Sequence, residues 1–521
     1  MVRKILVIHL LTCGIIFPGC AERYVSQRST GELIELVGDR EQADRVRLGI
    51  LAEVSARSLQ GEQREKLGAH LAQVAKSPLH SPIIRQQVID MIATRYPVEA
   101  PLWLSEALIE TREPAIRTQI LKYLEEFDDS RALPGLIVAL SMAPDGIKTT
   151  PKLEDSLGGA TQRMPELCVG MAPLQKIEGV IVKIADDSLE NALASYLLGK
   201  GEDTLPVRNA ALLSLVRISG KEKVKEILSG AWKGDAFIKP LCFWAEHFDY
   251  VPGTKSEVLM CQIQWLRLTV EQKENLQQRA WSLREREGYS FQIADSHILV
   301  EAEKMLVAKS GAMLRSMIRK RLDAVEHTKR PASYRGAADD YREDFIGQCT
   351  SLRYTDLLRI LLLLEYLGRE ENRGILRQIL QKDLRNVETE VGGLSFLHEG
   401  AVVFSTYPPA RQLGDNQYHE SSEMIADGVL CLARWHCHAD PHQTRTDQAD
   451  GSESQYTLKE EKGAFYNGRW KGAALAGPGV DDMEYVNYFG CPLLVVTYID
   501  RDTFTIDYVS AQGIVIDLGN Y

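Results

Sequence analysis

The chain has 521 residues, of which 45% are hydrophobic and 26% charged, a balance found in ordinary globular domains rather than in disordered or membrane-spanning chains. That length is enough for two or three domains. A net charge of -11 excludes a broad nucleic-acid-binding face, because phosphate contacts need a basic surface. The local basic run RSMIRKRLDAVEHTKR (315–330) reads as a solvated helix face.

The first twenty residues, MVRKILVIHLLTCGIIFPGC, stand apart from the fold. Arg3 and Lys4 precede an apolar run from Ile5 to Phe17, followed by Pro18, Gly19 and Cys20, the layout of an export signal. The Gly19–Cys20 junction resembles a bacterial lipobox, although Phe17 stands where leucine is usual. The resemblance implies lipidation of Cys20 and a protein anchored by lipid to the bacterial cell envelope. The apolar run itself is too short to span a bilayer comfortably. Beyond Cys13 and Cys20, seven cysteines (168, 242, 261, 349, 431, 437 and 491) are scattered without a CxxC pair, which is neither a disulfide framework nor a cysteine-based zinc site; an exported protein has room for one or two disulfides, but the sequence does not pair them.

From about residue 40 to 384 the apolar residues recur at helical spacing. The segment SPIIRQQVIDMIATRY carries Pro82 and Arg85, EPAIRTQILKYLEEF carries Pro114 and Arg117, and LPVRNAALLSLVRI carries Pro206 and Arg208. The first two are offset by 32 residues. A proline in the first turn, then an arginine, then an apolar stripe is how helical-hairpin repeats begin. The pattern resembles HEAT-type repeats, which implies an all-α solenoid of stacked hairpins. The stretch 144–172, rich in Gly, Pro and Thr, is expected as an irregular insertion. The leucine-rich run near 354–367 is expected as a buried repeat helix rather than a membrane span.

After about residue 385 the texture changes to short β-rich runs bounded by Gly, Pro and Asp, the signature of a small α/β domain spanning 385–521. Within VLCLARWHCH (429–438), strand alternation puts Val429, Cys431, Ala433, Trp435 and Cys437 on one face. Leu430, Leu432, Arg434, His436 and His438 fall on the other, so the two histidines project together and can grip one cation. A catalytic zinc usually takes three protein ligands, so a third ligand and a base are needed. Glu390 precedes a glycine pair in TEVGGLSF (389–396). Asp481 and Asp482 open a predicted helix in AGPGVDDMEYV (476–486), where acidic residues also serve as plain caps.

These three pieces together resemble the JAMM (MPN+) metallopeptidase family, whose signature is a glutamate in an E-x-x-G-L context, then H-x-H, then P-S-x-x-D. Glu390 through Leu394, His436-Cys437-His438 and Pro478 through Asp482 match in that order. The resemblance implies zinc held by His436, His438 and Asp482. It implies Glu390 as the general base that takes the proton of the attacking water and passes it to the leaving amine. Gly479 stands where the family has a serine that helps hold the oxyanion. The 39 residues between His438 and Pro478 exceed the family's usual spacing. They read as a polar surface loop, with His442 as an ordinary loop histidine or an extra ligand. Likewise His398 and Glu399 read as a turn after the first strand.

Two functions follow as expectations. One is an exported, lipid-anchored zinc hydrolase that cleaves a peptide or isopeptide bond, with the helical array presenting a protein or peptide substrate. The other is a non-catalytic HEAT-repeat scaffold capped by a degenerate JAMM-like domain, which Gly479 favours. Fold and metal do not fix the bond cleaved.

Overall fold

A computed structural model of the chain describes residues 25–142, 171–199, 204–327, 345–383, 390–398, 400–410, 418, 420–438 and 503–521, and between 442 and 499 the strands and short segments named below. Cys20 and the export signal, Gly479, Asp481, Glu399 and nearly all of the expected insertion at 144–172 lie outside the described residues. The chain forms two compact units, Met1–Trp232 and Lys233–Tyr521.

In the first unit, alternate helices stack in two rows. One row is Asp44–Ala56, Pro82–Arg95, Pro114–Phe127 and Met171–Ala185. The other is Thr30–Val37, Glu62–Lys76, Ala100–Glu110, Leu133–Ser141 and Leu205–Ser229. Leu67, Leu71, Ile84, Val88, Ile116 and Ile120 are fully buried where the rows meet. Each proline of the repeat sits in the first turn of its helix, as expected, where its missing N–H leaves no hydrogen bond unmade.

The arginine that follows has a structural task. A helix ends with carbonyls that have no partner within the helix and a partial negative charge. In each repeat the arginine of one helix reaches back to the end of the preceding helix. Arg85 Nε and Nη2 donate to the Ala75 carbonyl at 3.1 and 3.0 Å. Arg117 Nη1 donates to the Thr111 carbonyl at 2.9 Å, and Arg208 Nε to that of Leu197 at 3.0 Å. Arg47, in an earlier helix that lacks the proline, does the same to Val37 at 3.3 Å. Arg85 is entirely buried and also binds Thr111 and, at 2.8 Å, Glu113.

The second unit joins the helices from Ile238 onward to the C-terminal sheet. Those helices carry the same 3.6-residue periodicity as the first unit, but their apolar faces close on one another and on strands. The sheet has six strands: β1 (Gly392–His398), β2 (Ala401–Tyr407), β3 (Ala433–His438), β8 (Leu493–Tyr498), β9 (Phe504–Val509) and β10 (Val515–Asn520), in the order β10-β9-β8-β3-β1-β2. Two small hairpins, β4 (His442–Thr446) with β5 (Glu453–Thr457) and β6 (Ala464–Tyr466) with β7 (Arg469–Lys471), lie between β3 and β8. All sheet neighbours are antiparallel except β3 and β8. A parallel pair needs a long crossover, and residues 439–492 supply it.

The leucine-rich helix Tyr354–Leu367 is buried at every position but Glu365. Tyr366 packs on Phe404 of β2 with ring centres 5.1 Å apart. The helix brings charge into the core: Arg359 binds Asp295 at 3.1 Å and lies 3.7 Å from Asp356, and Tyr508 of β9 donates to Asp356 at 2.6 Å. Burial alone would raise the pKa of Asp295; Arg353 and Arg359 outweigh it and hold the carboxyl below its ordinary range. Among the described residues no helix is long and apolar enough to cross a membrane.

His327, after the helix Gly311–Leu322, donates to Asp517 of β10 across 2.9 Å. That hydrogen bond, against a smaller opposing effect of burial and with help from the Leu322 carbonyl and Asp323, raises its pKa from 6.5 to about 9.

Two outcomes are expected. Replacing Arg85 with methionine removes charge-assisted bonds to buried acceptors, and the unfolding transition of the first unit should lose on the order of 2–3 kcal/mol in urea titration. For His327, a raised folded-state pKa means that its contribution is complete below pH 6.5 and is lost as pH rises through about 9. Thermal melts of wild type should fall across that window more steeply than those of His327→Gln.

Candidate metal centre

Backbone pairing assembles the site. Strand β1 pairs antiparallel with β3 so that Gly392 faces His436, Gly393 faces Trp435 and Leu394 faces Arg434. The ladder runs one step further, with Cys437 N–H donating to the Val391 carbonyl at 2.9 Å. Continuing that register sets Glu390 across from His438. Residues directly opposite in an antiparallel pair point to the same face, so Glu390, His436 and His438 share a side of the sheet.

The glycine pair makes this pairing possible. A Cβ on Gly393 would fall on the Ser405 carbonyl of β2 and 2.9 Å from the Trp435 ring. One on Gly392 would meet the Tyr418 ring at 2.8 Å and the Trp435 carbonyl at 2.9 Å. Strand β1 therefore fits between its neighbours only without side chains at these two positions.

The crossover between β3 and β8 brings Asp482 back to the histidines. Four residues on, Val486 is fully buried against Leu493, Val495, Val509 and Val515, which pins this segment to the sheet. Tyr485 bonds Glu420 and, at 3.2 Å, Arg434; Arg434 is also paired with Glu420. Arg434 lies on the same face of β3 as the histidines and is almost wholly buried. The Arg434–Glu420–Tyr485 triangle thus ties the segment that carries Asp482 to the strand that carries His436 and His438.

The resulting distances are short. His436 Nε2 lies 3.1 Å from His438 Nε2 and 3.2 Å from Asp482 Oδ1, and His438 Nε2 lies 3.6 Å from Asp482 Oδ2. One carboxylate oxygen of Glu390 and one ring nitrogen of each histidine lie within 4.8 Å of one another. A tetrahedral zinc with ligands at 2.0–2.1 Å has donors roughly 3.3–3.4 Å apart. The histidine and aspartate spacings match that figure closely, and imidazole with carboxylate is a donor set suited to zinc and other first-row divalent cations. The residues present therefore fit a single divalent metal.

The electrostatics agree. Burial alone would lower the pKa of His436, but the charge and hydrogen bond of Asp482, with Glu390 and Asp383 behind them, raise it to about 9. The protein field here favours a positive charge between the imidazoles, whether a proton or a metal ion supplies it.

Of the residues singled out in the sequence, Glu390, His436, His438 and Asp482 come together. His442 opens β4. His398 ends β1, before a turn in which Gly400 adopts φ 77°. Sequence reasoning missed Asp383, the last residue of the helix Glu370–Asp383, which accepts from Val391 N–H at 2.5 Å and so fixes the backbone next to Glu390. It also missed Glu420 and Tyr485, which carry no local motif. No family model, no curated protein and no solved structure matches the chain.

Gly393→Ala should leave the second unit largely unfolded, because the added methyl collides with backbone rather than with a side chain that can move. Far-ultraviolet circular dichroism and protease resistance would show it, while Gly374→Ala, where no atom lies within 4 Å of the added carbon, serves as the control.

Proposed function

We propose that the second unit holds a zinc-dependent hydrolase site of the JAMM type that cleaves an amide bond, peptide or isopeptide, and that the stacked helices of the first unit are a HEAT-like platform for a protein or peptide substrate. The observation that carries this reading is the convergence of His436, His438 and Asp482 at ligand spacing with Glu390 beside them. The lipobox-like Gly19–Cys20 junction supports an exported protein held at the cell envelope by lipid on Cys20.

In this reading His436, His438 and Asp482 hold the metal. Zinc, when bound, supplies Lewis acidity that brings the pKa of a water ligand towards about 7 and polarises a carbonyl. Glu390 takes the proton of the attacking water and returns it to the leaving amine, the work of a buried carboxylate used first as base and then as acid. Asp383 keeps the Glu390 backbone in register, and the Arg434–Glu420–Tyr485 triangle keeps Asp482 within reach. The second reading, a non-catalytic scaffold, is favoured by Gly479: loss of one oxyanion donor lowers rates by about 10²–10³ in other enzymes.

Elemental analysis of the purified protein should find about one zinc per chain, absent from His436→Ala and from Asp482→Asn. Glu390→Gln should keep its zinc and lose amide hydrolysis by about 10²-fold or more on a peptide library. A wild-type protein purified without chelators and found free of metal would end the metal reading. Full zinc with no turnover on any peptide would transfer support to the scaffold.

A further inference from the structure

Two thiols meet where the histidine strand begins. Cys431 lies two residues before β3 and Cys491 two residues before β8. The parallel register that pairs Arg434 with Leu493 sets these two strand entries side by side. The sulfurs are 3.3 Å apart, and both side chains are buried, packed with Leu394 and Met424. A disulfide bond is about 2.05 Å long, so joining them needs closure of roughly 1.2 Å, within the reach of small side-chain rotations.

We propose that Cys431 and Cys491 are a disulfide-forming pair, and that the bond closes the loop that supplies three of the four residues of the metal centre. The loop from 431 to 491 contains His436, His438 and Asp482. A cross-link there removes freedom from the unfolded chain, with an effect that grows slowly with loop length. It also fixes the two parallel strands to each other at their entry ends, where the crossover returns to the sheet. The bond itself does not rest on the zinc reading; only its effect on the metal does.

The chemistry is thiol–disulfide exchange with a disulfide donor, either oxidised glutathione or the disulfide of an oxidoreductase. Either thiol can attack first; when Cys491 does, it loses its proton to solvent while the strand entries are open. Its thiolate attacks one donor sulfur, the donor bond breaks, and one donor thiolate leaves. Cys431 then loses its proton to solvent and attacks the Cys491 sulfur, which expels the second donor thiolate. Two protein thiols are oxidised by two electrons and one donor disulfide becomes two thiols. Burial means that exchange takes place while the strand entries are open, and that the finished bond is shielded from reductant.

The test refolds the full chain in mixed reduced and oxidised glutathione, removes metal with chelator, alkylates free thiols in guanidinium and maps the peptides by mass spectrometry. A peptide pair linked through Cys431 and Cys491 is expected. Protein refolded under full reduction should melt on the order of 5–10 °C lower, and the Cys431→Ala/Cys491→Ala double variant should show no such response to reductant. Alkylation of both cysteines in refolded wild type, linkage of either to another cysteine, or identical melting of oxidised and reduced protein would each overturn the proposal. The mapping needs no variant and no metal, so it stands apart from the outcome of the zinc experiments.

Discussion

The antiparallel pairing of β1 with β3, in the register that sets Gly392 against His436, is the constraint on which the candidate centre depends. Side chains alternate along a strand, so a slip of one residue would turn Glu390 to the opposite face from both histidines. Two glycines enforce the register from inside, because no side chain fits between β1 and its neighbours at 392 and 393. Asp383 enforces it from outside by accepting the Val391 N–H at the strand's entry. A sheet usually draws its register from the match of apolar faces; here backbone clearance and one buried carboxylate do much of that work.

The second unit keeps an unusual amount of charge out of water. Asp295, Asp356 and Arg359 are nearly inaccessible, and so are Arg434 and the side chain of Glu420. Desolvating such groups is expensive, and a buried pair is often no more stabilising than apolar residues of the same size. What these pairs supply is direction. Arg359 fixes its helix relative to the turn at Asp295, Tyr508 ties β9 to the same helix through Asp356, and Arg434 fixes the crossover relative to β3. Around the histidines the excess charge is negative, which is why His436 keeps a raised pKa despite its burial.

The elements were more legible in the sequence than their partners were. The alternation in ARWHCH marks a strand with two histidines on one side, and the structure has it as β3. The residues just before it, expected as the same strand, form a 3₁₀ turn at Gly428–Leu430 instead. The face carrying Arg434 and His436 is as covered as the apolar one, because β3 is an inner strand with the crossover and Glu420 laid over it. The arginine of each helical repeat was visible, but its targets, the carbonyls at the end of the preceding helix, leave no mark in composition. Nor does helical periodicity show which neighbour an apolar face will meet. The stretch 40–384 reads as one array, while the contacts divide at Trp232 and give the later helices to the sheet.

That division bears on how freely the sheet could travel between proteins. The helix Tyr354–Leu367 buries nearly its whole surface, and its Asp356 receives the hydroxyl of Tyr508 from β9. A β-rich tail that began at residue 385 would leave behind the helix that covers β2, the acceptor for Tyr508 and the carboxylate that steadies Val391. In any gene fusion or recombination, residues 385–521 are therefore not a transferable cassette; the helices from Ile238 onward would have to move with them.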